Sequence, residues 1–227
     1  MQKFPIYSSN NVLKFGYNAD VGTASETVWD AGGLYPWPAA AAATTIVSTD
    51  VKDTSDGVGA RTVQVYGLDS DYKPINETVI LNGTTAVNLT GVYLRVFRAK
   101  VLSAGSELDN AGSLQVKHST TVIAQISIGY NQTLMAVYTI PAGYHGGAFL
   151  VNWHANIGKL KDAEFSLWVR EYGGVFQVKD LARVYQAAIE RDYQIALHVP
   201  ERADIEIRAV SENASTPVAA GFDLFYR

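Results

Sequence analysis

From Thr45 onward, apolar and polar residues alternate with a period of two. In TTVIAQISI, Val122, Ala124, Ile126 and Ile128 fall on one face and Thr121, Gln125 and Ser127 on the other, as in a half-buried strand. DYQIALHV turns Tyr193, Ile195, Leu197 and Val199 inward, and ADIEIRAV does the same with Ala203, Ile205, Ile207 and Ala209; Pro200-Glu201-Arg202 is the turn between them. Further strands are expected at 62–66, 78–81, 92–101, 114–117, 165–170 and 221–227. Clusters of Gly, Asn, Asp and Pro separate them at short intervals, which predicts an all-β chain built as an antiparallel β-sandwich, of which the jelly roll is one form.

Two stretches read differently. LMAVYTI and AFLVNW are apolar on both faces and flank Pro141 to Gly147, so they predict a central hairpin. In the second run Phe149, Val151 and Trp153 share a face. Pro141 presets φ for the tip, and Gly143, Gly146 and Gly147 supply positive φ, so the tip needs no ligand to explain its glycines. In KDLARVYQAAIERD, Leu181, Val184, Tyr185, Ala188 and Ile189 have the spacing of an amphipathic helix. The all-β surroundings favour a strand there instead.

Residues 1–44 lack a sustained period of either kind. Gly32-Gly33, Pro36, Pro38 and the alanines from Ala39 to Ala43 predict an irregular N-terminal arm, followed by one sandwich domain over 45–227. Trp29, Tyr35 and Trp37 on this arm need burial, either on the arm's own domain or against a neighbouring subunit, and they are the candidate interface residues.

Composition narrows the function. Charged residues are only 18% of the 227-residue chain, against a usual ~25%, and aromatic residues run throughout. Such a surface suits a subunit that sits against neighbours. With a net charge of −4 and no long basic run beyond KLKD at Lys159 to Asp162, nucleic acid is not an expected partner. No stretch reaches the ~18 apolar residues of a membrane span, and MQKFPIYSSNN has no signal-peptide core, so synthesis in the cytoplasm is expected. There is no cysteine, which excludes disulfides and thiolate chemistry. The Asn-x-Ser/Thr sites at Asn76, Asn82, Asn88, Asn131 and Asn213 fit an Asn/Thr-rich β composition.

Candidate chemistry is sparse. His145 has only Tyr144 and glycines beside it, and His118, His154 and His198 have no acid or second histidine at a ligand spacing. Asp69 and Asp71 form a fragment of a calcium loop without its later ligands. Glu164, Glu171, Asp192 and Glu206 are the carboxylates a glycosidase would draw on, and the sequence does not say which face one another. No catalytic residue, metal site or cofactor is expected, and the protein reads as a non-enzyme.

Several stretches resemble structural proteins of tailed bacteriophages, in particular phages of marine bacteria. They are NQTLMAVYTIPAG, GGVFQVKD, YQIALHVPERADIEIRAVSENASTPVAAGFDLFYR and VWDAGGLYPWP. Together they cover somewhat over a third of the chain, and none carries a defined chemical role. The resemblance implies an extended 175–189 and a virion component. The expected function is a capsid decoration or cement protein that binds the major capsid protein or other virion proteins as a homo-oligomer, with a trimer favoured. The alternatives are a tail or collar adaptor, or a carbohydrate-binding sandwich stacking sugars on Trp37, Trp153 or Trp168.

Overall fold

The structure, a computed structural model, describes residues 11–158, 161–212 and 215–226; residues 1–10 of the expected arm, Lys159 and the Asn213 site lie outside them. Among the described residues there are sixteen strands and no helix. They are β1 (Asn11–Val21), β2 (Glu26–Thr27), β3 (Ala42–Ser48), β4 (Ala60–Leu68), β5 (Pro74–Ile80), β6 (Val87–Tyr93), β7 (Arg95–Ala104), β8 (Leu114–His118), β9 (Thr121–Ile126), β10 (Val137–Thr139), β11 (Ala148–Ile157), β12 (Asp162–Arg170), β13 (Gln177–Tyr185), β14 (Ala188–Val199), β15 (Asp204–Val210) and β16 (Thr216–Tyr226). Every pairing is antiparallel.

The strands make two sandwiches. In the first, the sheet β1-β16-β11-β14 packs on the sheet β10-β15-β12-β13 over a core that includes Trp153, Phe165, Leu167, Ile205, Ile207 and Phe222. The pairs are nested: β1 with β16, β10 with β15, β11 with β14 and β12 with β13. One long eight-stranded hairpin rolled onto itself has this connectivity, which is a jelly roll. The second sandwich, β6-β3-β8-β9 over β5-β4-β7, lies between β2 and β10 in the chain and has its own core of Ile46, Val63, Val65, Tyr93, Val96 and Ile123.

The second sandwich interrupts a jelly-roll strand. On the edge of β15, Thr27 and Glu26 face Arg208 and Ala209, while Val137, Tyr138 and Thr139 face Glu206, Ile205 and Asp204. Ile207, between them, accepts from the Val28 amide (2.9 Å) and donates to the Ala136 carbonyl (3.1 Å). β2 and β10 are therefore two halves of one strand, with the chain leaving at residue 28 and returning at 136. The outgoing and returning segments pair with each other as a neck: Ala136 donates to Val28 (2.9 Å), Asp30 donates to Leu134 (3.1 Å), and Trp29 bridges Met135. The Asp30 carboxylate closes the neck onto the second sandwich by accepting from the Ser127 amide and hydroxyl. Burial raises its pKa to about 7 despite those bonds.

Five expectations change. Ile128, read on the inward face of TTVIAQISI, is 61% exposed beyond the end of β9, and Ile123 is buried at a bulge between Val122 and Ala124. Residues 11–21, assigned to an irregular arm, form β1, whose partners Asn11 to Asn18 run along Phe225 to Val218; its half-exposed edge position hides the alternation. Only the stretch after it is irregular, with left-handed turns at Gly32 and Gly33. The expected hairpin of 134–140 and 148–153 is not one: β10 and β11 lie in opposite sheets, and the tip between them crosses the sandwich. The inward face of β11 is Ala148 and Leu150, then Trp153 and Ala155, because Val151 is a bulge that reverses the parity. Ile195 points outward, since residues 193–196 bulge from β14 opposite Val151. Residues 177–199 form the two strands β13 and β14, with Gln186 in the left-handed conformation at the turn, as the phage resemblance implied.

Gly16 lets the neck cross β1. A Cβ there would collide with the Val28 carbonyl oxygen and the Ala136 amide, both fixed backbone. Gly16→Ala should therefore cost about 1–3 kcal/mol in urea denaturation. Gly22→Ala, whose added methyl meets only the Glu26 side chain at an ordinary 3.8 Å, should stay within about 0.5 kcal/mol of the parent.

Candidate functional site

In β15, the parity that sends Ile205, Ile207 and Ala209 into the core sends Asp204, Glu206 and Arg208 to the other face. That face is covered by the neck, and the charges there are partnered. Asp204, 5% exposed, accepts from Arg95 Nε (3.3 Å), Arg170 Nε and Nη2 (2.9 and 2.5 Å) and Thr139 Oγ1 (2.5 Å). Arg95 begins β7 of the inserted sandwich and also donates to the Pro38 carbonyl of the neck. One carboxylate thus ties the jelly roll, the neck and the inserted sandwich together. Glu206, fully buried, is held by Arg208 and by Thr27 Oγ1 (2.6 Å). Burial raises its pKa even against the Arg208 charge and the Thr27 bond.

Aromatic rings separate these cations. Arg208 lies over Trp168 (4.5 Å) and Phe176 (5.1 Å), Arg170 over Phe176 (4.6 Å) and Trp37 (5.4 Å), and Arg95 over Trp37 (5.3 Å). The result is a continuous row of alternating rings and guanidinium groups, each contact favourable through the ring quadrupole.

Beside the row opens a cleft of about 260 Å³ between the two sandwiches. Its walls come from the neck (Trp37), the β4–β5 turn (Tyr72), the β12–β13 turn (Tyr172, Gly173) and the β14–β15 turn (Arg202). Asp69 Oδ1 accepts from the amides of Asp71 and Lys73 and so shapes the β4–β5 turn; this is the role of the fragment weighed as a calcium loop. The Tyr72 carbonyl accepts from Ala142, which ties that turn to the jelly roll. Trp37, Tyr72 and Arg202 all have positive φ (45°, 62° and 61°), a conformation uncommon for such side chains and frequent at binding sites.

Of the sequence-derived interface residues, Trp29 and Tyr35 are each 3% exposed and packed edge to face in the second core. Their area is used within the chain, while Trp37 remains half-buried at the cleft. Trp153 is core, with Nε1 donating to Asp180 (3.0 Å), and Trp168 is half-buried under Arg208. His145 is exposed on its loop, 3.7 Å from Glu201, and His198 contacts the Gly146 carbonyl. The four candidate carboxylates are scattered: Glu171 borders the cleft, Glu206 is bound by Arg208, Glu164 faces Val210, and Asp192 is in the opposite sheet. The arginine cluster was missed because its members are distant in sequence. The available signal was the Asp204, Glu206, Arg208 stripe on one face of a strand in a charge-poor chain.

No protein-family model matches the chain, and no curated protein matches it. Among solved structures, it is similar to a chain of the infectious bursal disease virus Gt strain, 10% identical, over 99% of this chain and 79% of that one, with a TM-score of 0.21. A TM-score this low establishes neither a shared fold nor a shared function.

Asp204 is the part of this site most open to test. Asp204→Ala leaves Arg95 and Arg170 without their buried counter-charge and should cost about 3–5 kcal/mol in urea denaturation. Lys52→Ala, which breaks the exposed Lys52–Glu107 pair, should leave the transition essentially where it is.

Proposed function

We propose that the protein is a non-enzymatic structural subunit of a virus particle, and specifically a decoration subunit on a tailed-phage head that acts as a closed homo-oligomer. A jelly roll alone does not choose this reading, since the same architecture serves capsid and lectin domains. The observation that carries it is the open side of the jelly roll. β13 and β14 are the edge strands of the two facing sheets and are joined by one tight turn that crosses between them, so both open edges lie on the same side of the jelly roll. Around them Val175, Val178, Leu181, Tyr185 and Ile195 are 45–88% exposed. Apolar side chains along unpaired edges favour burial against another copy, and rotational closure would hide every copy of this open side.

The resemblance to phage structural proteins supports the same reading, because of where it falls. VWDAGGLYPWP is the outgoing neck, NQTLMAVYTIPAG the returning neck and β10, GGVFQVKD the exposed start of β13, and the longest stretch spans β14 to β16. The resemblance lies on the jelly roll and its neck and leaves the inserted sandwich out. A scaffold that assembles while an inserted sandwich projects suits a lattice-bound subunit, whose many weak contacts add up to lasting attachment.

Quantitative mass spectrometry of purified particles should find the chain in hundreds of copies; a handful would move it to the collar or tail, and absence would refute the proposal. Light scattering should give a trimer for the parent and a monomer of unchanged circular dichroism for Val175→Asp/Tyr185→Asp/Ile195→Asp. A monomeric parent, or a variant that stays trimeric, would contradict closure through these two edge strands.

A further inference from the structure

The seam between the sandwiches contains a cation that no carboxylate of the described residues pairs with. Asp204 is taken up by Arg95 and Arg170, and Glu206 by Arg208. Arg202 has no such partner. Among the described residues no carboxylate or carbonyl accepts from its guanidinium, and its Nε is buried without a hydrogen bond. The group lies against two rings instead, 5.8 Å from the centroid of Tyr72 and 5.4 Å from that of Tyr172, and the rings themselves meet edge to face at 5.7 Å. Leaving a guanidinium donor dry and unpaired is costly, and the backbone that presents it is held in a left-handed conformation on both Arg202 and Tyr72. Neither feature helps the seam, because Asp204 already joins its parts.

We propose that this cleft binds an acidic sugar, with the sugar carboxylate on Arg202 and a face of the ring against Tyr72 or Tyr172. The charge balance selects a single negative charge: Arg95, Arg170 and Arg202 line the cleft against Asp204 and Glu171, so one positive charge is left. A dianionic phosphate would exceed it and would face Glu171. A planar guanidinium matches a carboxylate with two parallel hydrogen bonds. The rings give the apolar faces on which a pyranose packs, and a volume of about 260 Å³ fits one or two sugar residues better than a larger ligand. The site straddles the boundary between two units, as ligand sites commonly do. This ligand site is independent of the virion reading, since none of its residues belongs to the β13–β14 strands.

The test is titration of the full chain with galacturonic acid and its short oligomers, followed by tryptophan indole resonances and calorimetry. Glucose and sodium sulfate serve as the two reference ligands. The acidic sugar should shift the Trp37 indole signal in a saturable way at millimolar concentration or below, with glucose and sulfate much weaker. Arg202→Gln should weaken binding about tenfold, the loss of one charge-assisted pair, with an unchanged thermal transition. Tyr172→Ala, at an exposed ring, should weaken it independently and guards against misfolding of the first variant. Saturation by sulfate equal to that by the sugar, equal binding of glucose, an unaffected Arg202→Gln variant, or no response to the acidic sugar would each overturn the proposal.

Discussion

A carboxylate that is 95% removed from solvent is stable in its charged form only when the groups around it supply what water no longer does. At Asp204 they come from separate places: Arg95 from the inserted sandwich, Arg170 from β12, and Thr139 from β10. Because Arg95 also reaches the Pro38 carbonyl, this one charge sets how the insertion, the neck and the jelly roll meet. A hydrophobic seam would tolerate sliding. Two guanidinium groups on one carboxylate tolerate far less, because moving either leaves a buried charge short of partners.

The neck places that charge. β15 is bordered by a strand that the chain builds in two instalments, β2 before the insertion and β10 after it. Inserting a sandwich in the middle of a jelly-roll strand would leave backbone groups of β15 unpaired unless the two ends came back into line. The Val28, Ala136 and Ile207 hydrogen bonds bring them there. Gly16 leaves room beneath, and the edge-to-face row of Trp29, Tyr35 and Trp37 joins the neck to the second core. The cleft beside Arg202 follows from the same geometry, since it forms where turns of the two sandwiches converge around the neck.

The all-β class and most inward faces were legible in the sequence, because period-two alternation reports burial directly where a strand has one wet face. ADIEIRAV keeps its apolar set, Ala203, Ile205, Ile207 and Ala209, in the core, although the neck also buries Asp204 and Glu206 on its other face. Alternation fails where a bulge intervenes, as at Val151 and at 193–196, since one extra residue exchanges the faces. It is also silent on partners. The apolar runs at 134–140 and 148–153 look alike whether they form a hairpin or lie in facing sheets, and β1 could not be matched to β16 across two hundred residues by local pattern. The site was less legible than the fold: Trp37 was singled out for needing a surface, but Arg95 meets Arg170 and Asp204 of the jelly roll only through the insertion, which no local pattern reveals.

If one buried charge and a hydrogen-bonded neck join the two sandwiches, they should unfold as a single cooperative unit despite having separate cores. Differential scanning calorimetry of the intact chain measures this directly. The account predicts one transition, with calorimetric and van't Hoff enthalpies equal. Two resolved transitions in the unmodified protein, or a calorimetric enthalpy well above the van't Hoff value, would contradict it and show that the seam holds the sandwiches side by side without coupling them.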